Sequence, residues 1–373
     1  MASALRNRRW FRYLSHICRI TFAITFIVSG FFKAIDPWGT ALNVNNYLVA
    51  YGLDIPQYIV MIFSIWLCGA ELMMGCMLLC KVRIRLISIF SVLSMTFFTI
   101  LTFLNITFIP VEDCGCFGEF MKLKPWQTFV KNAMLLPMAI CFWYRYRPDK
   151  IFSFSKLEMA LAALFFSLSM GVGTYSYFHL PPIDLLPYKK GTHIATEIEN
   201  AKREQENSSV VLVYRNRRTG RIKEFSLDDK AWHHEERWEW VETRVETESP
   251  RIRPMILEFS ISDSEGNDMT DSLLSIPGKL YILCAKSIMP LEEKVAERFG
   301  AVVRHAAIED TVICLTPEKL VGEQTITFAG APAVKCYNMD AKSLKTVIRA
   351  DYGLVELDNG TIAEKFNFRD IPY

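Results

Sequence analysis

Val111-Glu112-Asp113-Cys114-Gly115-Cys116-Phe117-Gly118 interrupts a chain that is apolar for a long way on either side. Leu86 to Ile109 precedes it and Trp126 to Tyr144 follows it, each long enough to cross a bilayer. The acidic, glycine-bearing stretch therefore reads as a surface loop between two membrane spans. Two of the ten cysteines stand here one residue apart. A disulfide within Cys-Gly-Cys would close a very small ring, far from relaxed geometry and comparatively easy to reduce. Gly115 permits the unusual backbone such a ring or turn demands, and Gly118 gives the loop a second flexible point. Two readings stay open: an exchanging thiol pair, or two small residues in a tight turn. A metal is not expected, because two sulfurs with no histidine nearby fall short of the four ligands of a structural zinc.

Outward from this loop the chain divides. Its mean hydropathy of +0.17 is high for a sequence with 22% charged residues, and the average conceals two unlike parts. Up to Phe178 apolar runs of bilayer length dominate; beyond it charged residues return in globular proportion. The fold class expected is an α-helical membrane bundle followed by an α+β soluble domain. A net charge of +2, evenly spread, gives no footing to a nucleic-acid partner. Hydrolase and kinase readings also lack a foothold, since the chain shows no Ser-His-Asp set, phosphate-binding glycine loop or HExxH.

The N-terminal run, Leu14 to Ile35, follows Arg6, Arg8, Arg9 and Arg12. It is too long for a signal-peptide core and has no small-x-small cleavage site before Lys33 and Asp36, so it reads as a retained first helix. Ile55 to Cys80, Leu86 to Ile109, Trp126 to Tyr144 and Leu157 to Phe178 bring the expected spans to five. The N-terminal arginines, Lys81, Arg83 and Arg85, and then Arg145, Arg147, Lys150 and Lys156 all fall on one side, which should be cytoplasmic. Asp36, Asp54, the Cys-Gly-Cys loop and everything after the fifth span fall on the other. The expectation is a multi-pass protein of the bacterial inner membrane with a periplasmic C-terminal domain, in a compartment where disulfide chemistry is permitted.

Ser29-Gly30-Phe31-Phe32-Lys33-Ala34-Ile35-Asp36-Pro37, Gly69-Ala70-Glu71 with Gly75, Asp113-Cys114-Gly115-Cys116-Phe117-Gly118, and Trp126 with Lys131-Asn132 occur in an order and spacing that resembles the DoxX-like and methylamine-utilisation MauE membrane proteins. The resemblance covers about residues 10 to 145. It implies a four-helix membrane core within 1–150, to which a fifth transmembrane helix in 151–180 and a long tail are added. MauE-type members are associated with disulfide formation or thiol transfer in the periplasm, and DoxX-type members with quinone-linked oxidoreductases. A quinone cofactor is thus an implication of the resemblance alone.

Cys114 and Cys116 are the candidate reactive residues, with Asp113, Lys33, Glu71, Asp36 and Trp126 in support. A carboxylate inside an apolar span is expensive; such residues face the bundle interior and mark a functional position. The bland reading of Glu71 is a protonated carboxyl satisfied by Ser29, Thr99 or Thr102. A rise of 1.5 Å per residue puts Lys33 near the outer interface and Glu71 about 20 Å deeper, so the two are not expected to pair. Lys33 is instead expected level with the thiol loop, where a cation favours thiolate, although a snorkelling lysine is equally ordinary. Cys18, Cys68, Cys76, Cys80 and Cys141 read as small hydrophobes within or near spans.

His179-Leu180-Pro181-Pro182 opens an expected linker, 181–208, whose run from Thr196 to Ser209 is amphipathic at best. In the domain 209–373, strands are expected over Val210–Tyr214, Ile222–Leu227, Trp238–Val245 and Met255–Ile261. Next come a strand at Lys279–Cys284, a helix at Pro290–Phe299, strands at Val312–Leu315 and Ala333–Tyr337, and a helix at Ala341–Ile348. A hairpin closes the chain around Asp358-Asn359-Gly360. That succession looks like a thioredoxin-type domain, yet Ala285-Lys286-Ser287 after the first strand holds no second thiol. Asp351-Tyr352-Gly353 stands where a thioredoxin carries its cis-proline. Cys284, Cys314 and Cys336 fall in core strands, and His233-His234 lacks further ligands for a metal. The function classes expected are a thiol or quinone-linked redox component serving a periplasmic thiol protein or client, and a non-catalytic assembly factor whose tail binds a partner. In both, the lipid bilayer is a partner.

Overall fold

In α1 (Arg9–Ile35) the buried residues Phe11, Ser15, Cys18, Phe22, Phe26, Ser29 and Lys33 recur at steps of three and four, so one stripe of a 27-residue helix turns inward along its length. The computed structural model describes residues 8–107, 115, 118, 123–147, 155–206, 209–226, 229, 236–246, 254–306 and 310–373. Asp113, Cys114 and Cys116 lie outside the described residues. The chain forms two units, Met1–Leu186 and Pro187–Tyr373.

In the first unit, Asp36 was expected in an outer loop, but no loop intervenes there. Pro37 opens α2 (Pro37–Ala50) with its preset φ, and the Asp36 carboxylate caps that helix by accepting the Gly39 N–H at 2.9 Å. Asp36 is buried as a result. Then follow α3 (Gln57–Cys80), ended by Lys81 in the left-handed region, α4 (Ile84–Thr107), α5 (Pro125–Tyr146) and α6 (Lys156–Phe178). Four helices, α1, α3, α4 and α6, are long and apolar enough to cross a membrane. The 22-residue α5 carries Lys131, Asn132, Pro137 and Arg145 and falls outside that set, so four of the five expected spans qualify by length and composition among the described residues. Helix α1 packs on α3, and α4 packs on α5, which also touches α1. Consecutive helices α3 and α4 are therefore held mainly by different partners, which leaves a cleft between them.

Glycine makes the α1 and α3 contact close. A Cβ at Gly30 would stand 2.5 Å from the Leu72 backbone nitrogen, and one at Gly75 would stand 2.7 Å from the Ile27 nitrogen. Residue 30 thus lies level with 72 and residue 27 with 75, so the helices run antiparallel.

The second unit begins with α7 (Ile194–Glu206), which occupies the stretch read only as amphipathic; Ile194, Ile198 and Ala201 supply its buried stripe. A three-stranded antiparallel sheet in the order β2 (Ile222–Ser226), β1 (Ser209–Asn216), β3 (Trp238–Glu246) matches the first three expected strands. The fourth does not form. Pro254 starts a short helix, α8 (Pro254–Leu257), because its fixed φ suits a first helical turn; Ile256 is buried within that helix, and Phe259 and Ile261 are buried after it outside any strand. After α9 (Thr270–Leu274) comes a six-stranded sheet. It is built from β4 (Lys279–Ala285), β5 (Thr311–Thr316), β6 (Thr325–Ile326), β7 (Val334–Asn338), β8 (Tyr352–Asp358) and β9 (Thr361–Asn367), in the order β6-β7-β5-β4-β8-β9. β4, β5 and β7 are parallel, whereas β8 and β9 form the terminal antiparallel hairpin.

Two helices serve that sheet, α10 (Glu293–His305) and α11 (Ala341–Val347). The first starts three residues later than expected and runs on past Phe299, because Val295, Phe299, Val302 and Val303 form one apolar stripe against Leu283, Cys314 and Leu354 of the sheet. Cys284, Cys314 and Cys336 are all buried, and burial pushes the Cys284 thiol up to about 12.

An ion cluster stands at the end of β4. Lys286 Nζ lies 2.9 Å from Asp351 Oδ2, and Lys345 Nζ lies 2.7 Å from Asp351 Oδ1 and donates to Ala350 O at 2.7 Å. Burial drives Lys345 down to about 8, against the pull of Asp351. Asp351→Ala is expected to cost about 2–4 kcal/mol at pH 7 by stranding that lysine, the lower end reflecting the partial exposure of Asp351. Because the unfolded chain holds the Lys345 proton up to about pH 10.4, stability rises with pH between about 8 and 10 as the folded form sheds it. Thermal unfolding at pH 7 and at pH 10 checks this: the deficit of the variant should shrink at the higher pH.

Candidate functional site

Glu71 sits on its own buried stripe, Met61, Ser64, Cys68, Glu71, Gly75 and Leu78, spaced by three and four along α3. That stripe faces the stripe of α1 that ends at Lys33. The expectation that these two residues lie apart is wrong. Lys33 Nζ donates to both Glu71 carboxylate oxygens at 2.8 Å, and both side chains are more than nine-tenths buried. The depth estimate failed because it took Asp36-Pro37 as the outer end of the first span. The helix instead passes into α2 inside the packed bundle, so Lys33 is one turn beyond Gly30, which touches Leu72. A helical side chain leans toward its own N-terminus, which brings the ammonium back to the level of Glu71. Of the hydroxyls considered for Glu71, Ser29 does donate, Oγ to Oε2 at 3.1 Å. Thr99 and Thr102 bond to Met95 O and Phe98 O of their own helix.

A charged pair at this depth costs several kcal/mol to desolvate unless geometry and further hydrogen bonds compensate. Here one carboxylate receives both the ammonium and a hydroxyl. Beside it, Asn132 Nδ2 donates to Thr102 Oγ1 at 3.4 Å, and a small cavity of about 30 Å³ touches Ser29, Lys33, Glu71, Lys131 and Asn132. That volume admits one or two waters.

On the other side of the pair lies a large cavity of about 820 Å³ in the cleft between α3 and α4. Lys33, Thr40, Asn43, Tyr47, Glu71 and Gly115 mark its polar end. Thr40 Oγ1 accepts from Cys68 Sγ at 3.6 Å, and the Tyr47 hydroxyl accepts from Asn105 Nδ2 at 3.3 Å. The rest is lined mainly by apolar side chains, with Tyr51, Arg83 and Ser94 among them.

Two glycines of the Cys-Gly-Cys loop are described, and both are buried with positive φ, +62° at Gly115 and +56° at Gly118. A Cβ on Gly115 would lie 2.4 Å from Asn43 Nδ2, and one on Gly118 would lie 3.5 Å from Phe32 O and 3.8 Å from Lys33 Cα. Both positions favour glycine for conformation, and Gly115 also for room beside Asn43. Gly118 thus lies against the turn that carries Lys33, and Gly115 against Asn43 of α2. Trp126 is not part of this grouping: it lies exposed in the first turn of α5. Among the described residues no three histidine, cysteine or acidic side chains gather as a metal site.

Residues 11–145 match the family described as Methylamine utilisation protein MauE. The match spans little more than a third of the 373 residues and covers every residue of the site. The membrane part of the chain is MauE-like. A further similarity is to Protein TlpB of Flavobacterium psychrophilum, 28% identical over 137 residues, which are 35% of this chain and 37% of that relative. The chain thus aligns with little more than a third of the length of the curated relative it matches. No solved structure matches.

Proposed function

We propose that the protein is a thiol/disulfide redox component of the bacterial inner membrane, exchanging disulfides through Cys114 and Cys116 at the periplasmic face. The observation that carries this reading is the seating of Gly115. It is peptide-bonded to both cysteines, is itself buried, and lies against Asn43 at the cavity that Lys33 and Glu71 also line. A freely hanging turn needs no such seat. A lysine close to this loop favours thiolate, the nucleophile of exchange. The MauE-like character of residues 11–145 supports the same reading, since the resemblance implies thiol transfer or disulfide formation.

The chain crosses the membrane five times in this proposal, with α5 as the fourth span, the N-terminus cytoplasmic and the C-terminal domain periplasmic. Parallel β4 and β5 joined through α10, followed by the β8–β9 hairpin, support a thioredoxin-like domain without its dithiol, and that domain would hold the client. The ion cluster of Lys286, Lys345 and Asp351 favours a second reading for this part alone, a binding module with no chemistry of its own.

Alkaline phosphatase fused after Phe178 should be active, and fused after Lys150 inactive. In intact cells a membrane-impermeant maleimide should then label Cys114 and Cys116 after reduction while sparing Cys284. An inactive fusion after Phe178, or loop cysteines blocked from labelling, contradicts the proposed location.

A further inference from the structure

Arg83 lines the cavity between α3 and α4 at the end away from Lys33 and Thr40. It stands in the turn between Cys80, where α3 ends, and Ile84, where α4 begins. Its Nε is buried and, among the described residues, has no hydrogen-bond partner. An unmet buried donor of a charged group costs about 1–3 kcal/mol or more. No acidic residue occurs between Glu71 and Glu112, so α4 and the turn before it hold no carboxylate to meet that donor. Lys81 and Arg85 add two further cations to the same turn.

From Arg83 the cavity runs along Met77, Met74 and Phe90 to Trp66 and Phe97. Trp66, Phe90 and Phe97 are also exposed at the helix surface. In α3 and α4, two helices able to cross a membrane, that surface faces acyl chains, so the cavity opens sideways to lipid. Between Met77 and Phe63, both in its wall, α3 rises about 21 Å at roughly 1.5 Å per residue. One leaflet's share of a hydrocarbon core is about 15 Å. A tail entering beside Arg83 therefore has an apolar wall for the whole depth of its leaflet.

We infer that an anionic phospholipid occupies this cavity, with its phosphate at Arg83 and an acyl chain along Met74, Phe90 and Trp66. Basic groups in a cleft between transmembrane helices select anionic headgroups, and a guanidinium meets a phosphate through paired N–H donors. A zwitterionic lipid fills the same apolar wall but sets its own ammonium beside the basic turn. The bound lipid ties α4 to α3, two helices that pack mainly on other partners. The inference needs neither reactive loop cysteines nor a direction of insertion, and Cys114→Ser/Cys116→Ser should bind lipid as the natural chain does.

The full chain, purified in detergent, is offered equal amounts of phosphatidylglycerol and phosphatidylcholine with identical acyl chains, and the bound lipid is counted by native mass spectrometry. Phosphatidylglycerol should be preferred by about fivefold or more, the effect of one well-placed cation. Arg83→Gln should abolish that preference and Arg83→Lys should keep part of it. Lys156→Gln, at an exposed lysine outside the cavity, should leave it unchanged. Ser94→Phe, which fills the apolar wall from α4, should lower the occupancy of both lipids. Equal binding of the two lipids, the same loss of preference in Lys156→Gln as in Arg83→Gln, or undiminished occupancy in Ser94→Phe overturns the inference. Displacement of the lipid by glycerol 3-phosphate, a head without a tail, would mark a site for free phosphate and overturns it too.

Discussion

Lys33→Met should destabilise the protein by about 3–5 kcal/mol, far more than the paired replacement Lys33→Met/Glu71→Gln. The single change strands a carboxylate that is more than nine-tenths buried, with Ser29 Oγ as its remaining donor among the hydrogen bonds described above. The paired change removes both charges, keeps an acceptor for Ser29, and leaves a neutral core of similar volume. The difference between the two is the coupling energy of a double-mutant cycle, measured by thermal unfolding of the purified full chain in detergent. Near-additive single effects below about 1 kcal/mol would mean that the pair is relaxed by water and holds nothing in place. Glu71→Gln alone should insert normally yet slow thiol exchange, because Lys33 loses the carboxylate that fixes its position beside Gly118.

The second large effect concerns the loop cysteines. An aromatic disulfide reporter such as dithiobis-nitrobenzoate releases one thiolate when a protein thiol attacks it and a second when a neighbouring thiol resolves the mixed disulfide. In a Cys80→Ser background, which removes the thiol exposed among the described residues, the natural loop should release two equivalents. Cys114→Ser and Cys116→Ser should each release one and retain the adduct, and the double variant should release none. Cys284→Ser should change nothing, since burial holds that thiol near 12 and out of reach. Release of two equivalents with two nitrobenzoates kept on the natural loop, or of one with one kept, would show that the two sulfurs do not communicate.

Much of this was legible in the residues. The span lengths announced α1, α3, α4 and α6, and the alternating strands with their Asn-Gly turn announced the hairpin β8–β9. The misses have separate causes. Asp36-Pro37 carries the signals of a helix end, and those signals are correct; what they do not say is that another helix begins at once, capped by the same aspartate. The depth of Lys33 was misjudged for that reason alone. The periodicity held the better information, because Lys33 continues the inward stripe of Phe22, Phe26 and Ser29, and Glu71 falls between Cys68 and Gly75 on the inward stripe of α3. Two ionisable residues on facing inward stripes of adjacent helices are candidates to pair whatever their estimated depth. The large cavity had no local signature, since it arises from α3 and α4 choosing different packing partners. Met255–Ile261 was misread because alternating apolar residues suit a strand, whereas Pro254 suits a helix start and won locally.

Capture of a mixed disulfide tests the central claim most directly. Cells expressing Cys114→Ser or Cys116→Ser are quenched with acid, alkylated, and run on a non-reducing gel; the remaining thiol, with no neighbour to resolve it, should hold a periplasmic protein in an adduct that reductant releases. The account predicts such an adduct in at least one single variant and its disappearance in Cys114→Ser/Cys116→Ser. No adduct in either single variant, together with full function in the double variant, would contradict it and leave Cys-Gly-Cys as a turn.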